Sequence, residues 1–184
     1  DKLKTATNRL NYEDALARMG DCYFVNKNYA EAQRLYDQVV ATGKTDKDYA
    51  TYQKGLMLAY QDKGQEAKAA FDKVLTQYPN SRYIDDAMYQ IGVIDLNSGN
   101  YQVAVRDFTR LIQQQNRSFL VPAALLKRAL AYSNLQSNQE AIRDYKTIVS
   151  KYPTSKYAQD AISGLQDLLN TVGRPEEFQE VLAQ

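Results

Sequence analysis

The sequence predicts an all-α chain assembled from repeated helix–turn–helix units. Three observations predict it. The same residue types recur every 35–37 residues. Inside each unit the apolar residues fall at helical spacing. Capping residues, glycines and prolines stand at the expected joints. No alternating apolar/polar run suggests a strand.

Four segments align. The first carries Met19-Gly20, Tyr23, Tyr29, Ala32, Tyr36 and Val39. The second carries Gly55, Leu58, Ala67, Phe71, Val74 and Tyr78-Pro79. The third carries Ile91-Gly92, Gly99, Tyr101, Ala104, Phe108 and Leu111. The fourth carries Ala129, Tyr132, Ala141, Tyr145, Ile148 and Tyr152-Pro153. A small residue (Gly20, Gly55, Gly92, Ala129) is followed twelve places on by Ala, then four on by an aromatic, then three on by an aliphatic. The last three lie at i, i+4 and i+7, one face of a second helix. The small residue lets that second helix approach closely, and the aromatic three places after it fills the space above the contact.

The predicted helices span about 12–26, 29–42, 46–62, 65–77, 82–98, 101–115, 119–136, 139–151, 155–171 and 175–183. Asn28, with Glu31 three places on, reads as a capping box. Thr45, Ser81 and Thr154 are further candidate N-caps. Gly43, Gly64, Gly99 and Gly173 stand where helices should stop. Pro122 fits the first turn of a helix. The units are about 12–44, 46–80, 82–117 and 119–153, within a single array over 1–184. Residues 155–183 form a degenerate fifth repeat or a capping pair, in which Gly173 mirrors Gly99, and Phe178 and Leu182 mirror Ala104 and Phe108. Leu3 aligns with Leu75, which makes residues 1–8 a possible remnant of a preceding helix.

Composition removes whole classes of chemistry. The net charge is +1, from 23 Lys+Arg against 22 Asp+Glu, with the two signs interspersed, so a nucleic-acid partner is not expected. There is no His, which deletes the commonest general base and metal ligand. No Gly-rich phosphate loop is present. No apolar run is long enough to span a membrane. The chain begins at Asp1 without Met, as a trimmed or internal piece does. Its single Cys excludes an internal disulfide, and at the tenth place of the first unit Cys22 reads as a buried structural thiol. Asp85-Asp86-Ala87-Met88-Tyr89 starts like a metal-binding acidic helix, but Tyr89 stands where a third acid is needed, and a helix N-terminus explains the two acids. No catalytic residue, metal or cofactor is expected.

This pattern resembles the tetratricopeptide repeat, a helix–turn–helix unit of about 34 residues. The family's small eighth place is matched by Gly20, Gly55, Gly92 and Ala129, its Ala by Ala32, Ala67, Ala104 and Ala141, and its later aromatic by Tyr36, Phe71, Phe108 and Tyr145. Leu58 and Asp95 depart from its aromatic eleventh place, and Lys54 replaces the usual apolar residue before the Gly. The resemblance implies a right-handed superhelical solenoid. The junction Tyr78-Pro79-Asn80-Ser81-Arg82-Tyr83 recurs as Tyr152-Pro153-Thr154-Ser155-Lys156-Tyr157. It is similar to junctions in bacterial envelope members, of the outer-membrane assembly lipoprotein and Tol–Pal coordinator type, which favours the periplasm or cell envelope over the cytoplasm.

In that family the first helices line the concave side and bind a peptide or protein segment. The matching places here include Asp14, Asp21, Phe24, Tyr49, Tyr52, Leu56, Tyr60, Asp86, Tyr89, Val93, Asn97, Leu126, Leu130 and Asn134. Tyr49, Tyr52, Leu56 and Tyr60 run as one helical stripe, suited to gripping an extended or helical peptide. The same tyrosines can instead pack between neighbouring first helices. The Lys/Arg/Asn clamp by which some members hold a C-terminal carboxylate is replaced by Ala17, Asp21, Asp86 and Gln90. The expected function is a non-catalytic scaffold for a protein or peptide, within a larger bacterial protein or envelope assembly. The alternative is a structural spacer or self-association module. The expected state is a monomer or a weak self-associate.

Overall fold

The computed structural model describes residues 2–182, with side chains over residues 12–181. Among the described residues there are ten α-helices and no strand: α1 (Lys2–Val25), α2 (Tyr29–Thr42), α3 (Lys47–Tyr60), α4 (Gly64–Gln77), α5 (Ile84–Asn97), α6 (Tyr101–Gln114), α7 (Val121–Asn134), α8 (Asn138–Lys151), α9 (Ala158–Thr171) and α10 (Glu176–Leu182). Ten helices were expected at nearly these places. The exception at the start is α1, which runs unbroken from Lys2, so residues 2–8 extend the first helix rather than forming a separate one. Leu182, expected to mirror Phe108, has a side chain outside the described set.

Each helix pair turns on one residue in the left-handed region. Lys27, Asp62, Gly99, Gln136 and Gly173 have φ of 60°, 58°, 76°, 57° and 71°. Each turn closes with the same two backbone bonds. Asn28 N–H donates to Tyr23 and Lys27 N–H to Phe24; Arg174 N–H donates to Leu169 and Gly173 N–H to Asn170, with the other three turns alike. These are the paired bonds of a Schellman ending, which satisfy the last carbonyls of the first helix. The fifth pair carries the same turn as the other four. Gly64 does not stop a helix as expected: Asp62 takes the left-handed position, and Gly64 opens α4.

Inside a pair the small residue faces the aromatic sixteen places on. A Cβ built on Gly20 would sit 2.6 Å from Tyr36 Cε1, one on Gly55 2.6 Å from Phe71 Cε1, and one on Gly92 2.7 Å from Phe108 Cε1. Tyr36, Phe71 and Phe108 are fully buried there. The ring therefore lies flush on helix backbone, and glycine is what admits it. The space above the small residue is filled by this ring of the second helix. Tyr23 and Tyr132, the aromatics expected to fill it, are only half-buried.

The chain divides into two compact units, residues 1–87 and 88–184, the division falling inside α5 after Ala87. In the first unit α1 packs on α2, α2 on α3, and α3 on α4. In the second, α6 packs on α7, α7 on α8, α8 on α9, and α9 on α10.

The joints between pairs use side chains that the cap rules misread. Thr45 and Ser81 were expected as N-caps, yet the helices that follow begin two and three residues later. Thr45 instead donates its hydroxyl to Glu13 at 3.2 Å, and Glu13 also accepts from Thr45 N–H at 3.1 Å and Lys44 N–H at 2.7 Å. Ser81 donates to Asp48 at 2.6 Å and accepts from Tyr83 N–H at 3.1 Å. Glu13 and Asp48 are equivalent places, one repeat apart. Thr154 likewise lies ahead of α9, whose N-cap is Tyr157. Asn28 does cap α2, accepting from Glu31 N–H at 3.4 Å.

Basic residues on first helices tie neighbouring helices together, across pairs and within one. Lys54 reaches Asp37 on α2. Its equivalent Arg128 on α7 forms two bonds to Asp144 on α8, at 2.8 and 2.7 Å, and a third to Thr109 on α6, at 2.8 Å. Lys54 is thus no flaw in the repeat: its charge is used at the joint.

Candidate functional site

The ten residues expected to share one binding face divide between the two units. In the first unit the structure brings Asp21, Tyr49, Tyr52, Leu56 and Tyr60 together on α1 and α3. Asp21 is the centre of a closed polar cluster. Its carboxylate accepts from the Tyr36 hydroxyl at 2.8 Å, the Tyr49 hydroxyl at 2.6 Å and Arg18 Nη1 at 3.2 Å. Gln53 Nε2 donates to the Tyr49 hydroxyl at 2.7 Å, and the Arg18 guanidinium stacks 4.5 Å from the Tyr49 ring centre. Burial, then the bond to Asp21, pushes the Tyr49 phenol up to about 12 and Tyr36 higher still. Both phenols therefore stay neutral donors at neutral pH.

The stripe on α3 consequently splits. Tyr49 and Tyr52 are buried. Tyr52 stacks on Tyr83 with ring centres 5.1 Å apart and packs on Phe71 at 5.6 Å, while Tyr49 packs on Tyr83 at 5.6 Å. Leu56 is half-buried, and Tyr60 is 74% exposed. Tyr60 meets Phe24 of α1 edge-on at 5.5 Å, and Phe24 in turn touches Tyr29 at 6.2 Å. Along this stripe the aromatic surface that solvent reaches is therefore the Tyr60–Phe24 corner. Asp14 is exposed and paired with Arg18 at 3.2 Å. Asp86 is half-buried in the first turn of α5, where burial and then Asp85 raise its carboxyl above the usual range.

In the second unit Tyr89 is half-buried, 6.0 Å from Phe108, and burial, then Tyr157, pushes its phenol up to about 12. Leu126 is buried. Asn97, Leu130 and Asn134 are exposed, and Asn134 Nδ2 donates to its own helix at Leu130 O, 2.9 Å away.

Arg18 and Gln53 complete the first unit's cluster and were not singled out from the sequence. Arg18 was legible as a partner of Asp14 at i+4 and of Asp21 at i−3, but its stacking on Tyr49 depends on a neighbouring helix. Cys22, expected to be buried, is exposed, because nothing among the described residues covers that side of α1. A groove of about 290 Å³ between α2, α3 and α4 is lined by Asp37, Val40, Lys54, Leu58, Ala70 and Lys73. Among the described residues no group of three His, Cys, Asp or Glu side chains is placed to hold a metal ion, and no helix is long and apolar enough to cross a membrane.

Comparison with known proteins places these features. The tetratricopeptide repeat family matches residues 14–42, 49–81 and 86–115, together half of the chain. A family described as "Outer membrane lipoprotein" matches residues 112–177. The outer membrane protein assembly factor BamD of Xylella fastidiosa (strain 9a5c) is 27% identical over 128 residues, which cover 60% of this chain and 44% of that protein. The same factor from Pasteurella multocida (strain Pm70) is 28% identical over 170 residues, 89% of this chain and 56% of that protein. The chain thus spans about half the length of the curated relatives it matches. Among solved structures, MamA (41-end) from Desulfovibrio magneticus RS-1 superposes with a TM-score of 0.71 at 20% identity, covering 93% of this chain and 91% of that 41-end chain. PilW, a type IV pilus biogenesis factor, superposes with a TM-score of 0.70 at 20% identity, covering 94% of this chain and 76% of PilW. At those identities the structures speak to the fold alone.

Proposed function

The chain belongs to the tetratricopeptide repeat family, and from that premise we propose that it is a non-catalytic protein-interaction scaffold of the bacterial periplasm or cell envelope. Two likenesses support the compartment: BamD, an outer membrane protein assembly factor, and the "Outer membrane lipoprotein" family. The Asp21 cluster of phenols, amide, guanidinium and carboxylate ties α1, α2 and α3 together beneath the first-helix face.

The finer reading is that a peptide or protein segment lies along the face formed by the first helices. The observation that carries it is the Tyr60–Phe24 corner. A large aromatic side chain left 74% exposed and braced edge-on by a second ring is a preformed anchor point for an apolar side chain. Tyr49 and Tyr52 contribute by holding α3 in place, and Asp14, Leu56 and Asp86 would border the bound segment on the first unit; Tyr89, Asn97 and Asn134 would serve the same role on the second unit taken by itself.

The test is capture of partners from a bacterial envelope extract by the chain and by its Tyr60→Ala and Phe24→Ala variants, with helicity monitored by circular dichroism. A partner whose recovery falls about tenfold or more, as loss of an anchor worth roughly 1.4 kcal/mol requires, supports the reading. Unchanged recovery in both folded variants rejects it.

A further inference from the structure

Lys54 and Leu58 of α3 and Ala70 of α4 line the groove of about 290 Å³ in the first unit. The same three places recur 74 residues on, in the second unit, as Arg128, Tyr132 and Asp144. There the Arg128 guanidinium lies 5.9 Å from the Tyr132 ring centre, donates twice to Asp144 and donates once to Thr109. Thr109 holds the place of Asp37. In the first unit each of the three side chains is smaller: Lys for Arg, Leu for Tyr, Ala for Asp. The Lys54 ammonium turns to Asp37 on α2, and at Ala70 there is no carboxylate to meet it. The groove is the space that these missing groups leave.

We propose that this groove takes an acidic side chain, Asp or Glu, from an extended segment of a partner protein. Its carboxylate occupies the place that Asp144 fills two repeats later. Charge selects this occupant. Gly55 of α3 lies against the Phe71 ring of α4, and the helices of a pair run antiparallel, so Lys54 and Lys73 stand at the same end of the groove. Glu66 is seven residues from Lys73, about 10 Å away along α4. At the lysine end Asp37 alone opposes two cations, which leaves one positive charge unmatched. Lys73 is exposed and makes no ion pair among the described residues. An incoming carboxylate supplies that balance, as a charge-assisted partner for both ammonium groups. An incoming ammonium or guanidinium would meet two like charges. Val40, Leu58 and Ala69 offer apolar contact to the methylenes of the guest. The groove has room for one or two side chains and not for a helix about 10–12 Å across, so the segment is extended.

This site is independent of the Tyr60–Phe24 corner. Lys54 is two residues from Leu56, on the opposite side of α3 from the tyrosine stripe, and Tyr60→Ala leaves the groove untouched. The test is a nuclear magnetic resonance titration of the whole isotope-labelled chain. The probes are a blocked peptide, acetyl-Ala-Leu-Glu-Leu-Ala-amide, its counterpart with Gln for Glu, and acetate. The expected result is a saturable movement of the Val40, Leu58, Ala69 and Ala70 amide signals with the Glu peptide. The Gln peptide binds about tenfold more weakly, and acetate more weakly than the Glu peptide.

Two variants read the site itself. Ala70→Asp sets a carboxylate beside Lys54, as Asp144 stands beside Arg128, and is expected to abolish binding while the chain stays folded. Lys73→Ala, at an exposed position, is expected to weaken the Glu peptide about threefold or more. No saturable movement with the Glu peptide at millimolar concentration overturns the proposal. So do equal binding of the Glu and Gln peptides, which would make the groove merely apolar, and equal binding of acetate, which would make it a site for small anions. Unchanged binding in Lys73→Ala, or in a folded Ala70→Asp chain, overturns it as well.

Discussion

The Ser81 hydroxyl donates to the Asp48 carboxylate at 2.6 Å, joining the loop before α5 to the first turn of α3. The preceding repeat makes the same tie between Thr45 and Glu13. In the fourth repeat the acid is replaced by Pro122, and the Ser155 hydroxyl, 33 residues on, is buried without a partner. Asp48→Ala is expected to lower stability by about 1–2 kcal/mol, because it removes the carboxylate to which the Ser81 hydroxyl donates. Pro122→Asp is expected to raise stability by about 1 kcal/mol, by giving Ser155 an acceptor and the start of α7 a favourable charge. Urea titration of the two variants against the parent chain checks both signs.

Three of the five left-handed turn residues are not glycine. At Gln136, with φ of 57°, the side chain crowds its own carbonyl. Gln136→Gly is expected to stabilise by roughly 0.5–1 kcal/mol, after allowing for the extra freedom glycine has when unfolded. Gly99→Ala, the reverse change in the third pair, is expected to destabilise by about 1 kcal/mol. Thermal melts of the two variants should move in opposite directions.

The Lys54–Asp37 and Arg128–Asp144 ion pairs differ in burial, and burial decides their worth. Asp144 is 5% exposed, and Arg128 alone faces it with a pair of bonds. Arg128→Ala therefore leaves a buried carboxylate uncompensated and is expected to cost about 3 kcal/mol or more. Asp37 is 46% exposed, so Lys54→Ala should cost under about 1 kcal/mol. Comparable losses at the two sites, measured by denaturant unfolding, would contradict this ranking.

Asp95 occupies a place where the family carries an aromatic, and it is almost wholly buried on α5. Near it on α6 is Asp107, whose carboxyl is raised above its ordinary value by burial, opposed by Arg106 and reinforced by Asp95. The folded chain therefore holds this proton more tightly than the unfolded chain does. Stability from this site is greatest at low pH and falls as pH climbs from the unfolded carboxyl value through the raised folded one. Asp107→Asn is expected to flatten that slope and to be the more stable protein near neutral pH. Unfolding free energies across mildly acid to neutral pH give the readout.

Much of the local plan was legible before any coordinates. Gly20, Gly55 and Gly92 announced a close helix approach, and each faces the ring sixteen residues on. Gly173 announced a fifth turn like that at Gly99, and the same two backbone bonds close it. The cap rules failed at Thr45 and Ser81 because their hydroxyls answer to acids a whole repeat earlier, a relation that no local window contains. Asp62 was passed over as a turn residue because the neighbouring Gly64 is the stronger conventional signal.

Periodic spacing by itself determined the helix pairs, their order and the residue types at each contact, since a helix face is written into the chain at fixed intervals. Which faces meet water was decided only by tertiary structure. Tyr49, Tyr52 and Tyr60 share one stripe, yet the first two are closed off by Tyr83, Phe71 and the Asp21 cluster, while Tyr60 projects beyond them. Cys22 and Met57 hold the same place in successive repeats, yet one is exposed and the other fully buried, because α2 lies over α3 and nothing described lies over the Cys22 side of α1. Burial belongs to the neighbour as much as to the residue, and a neighbour exists only once the chain has folded.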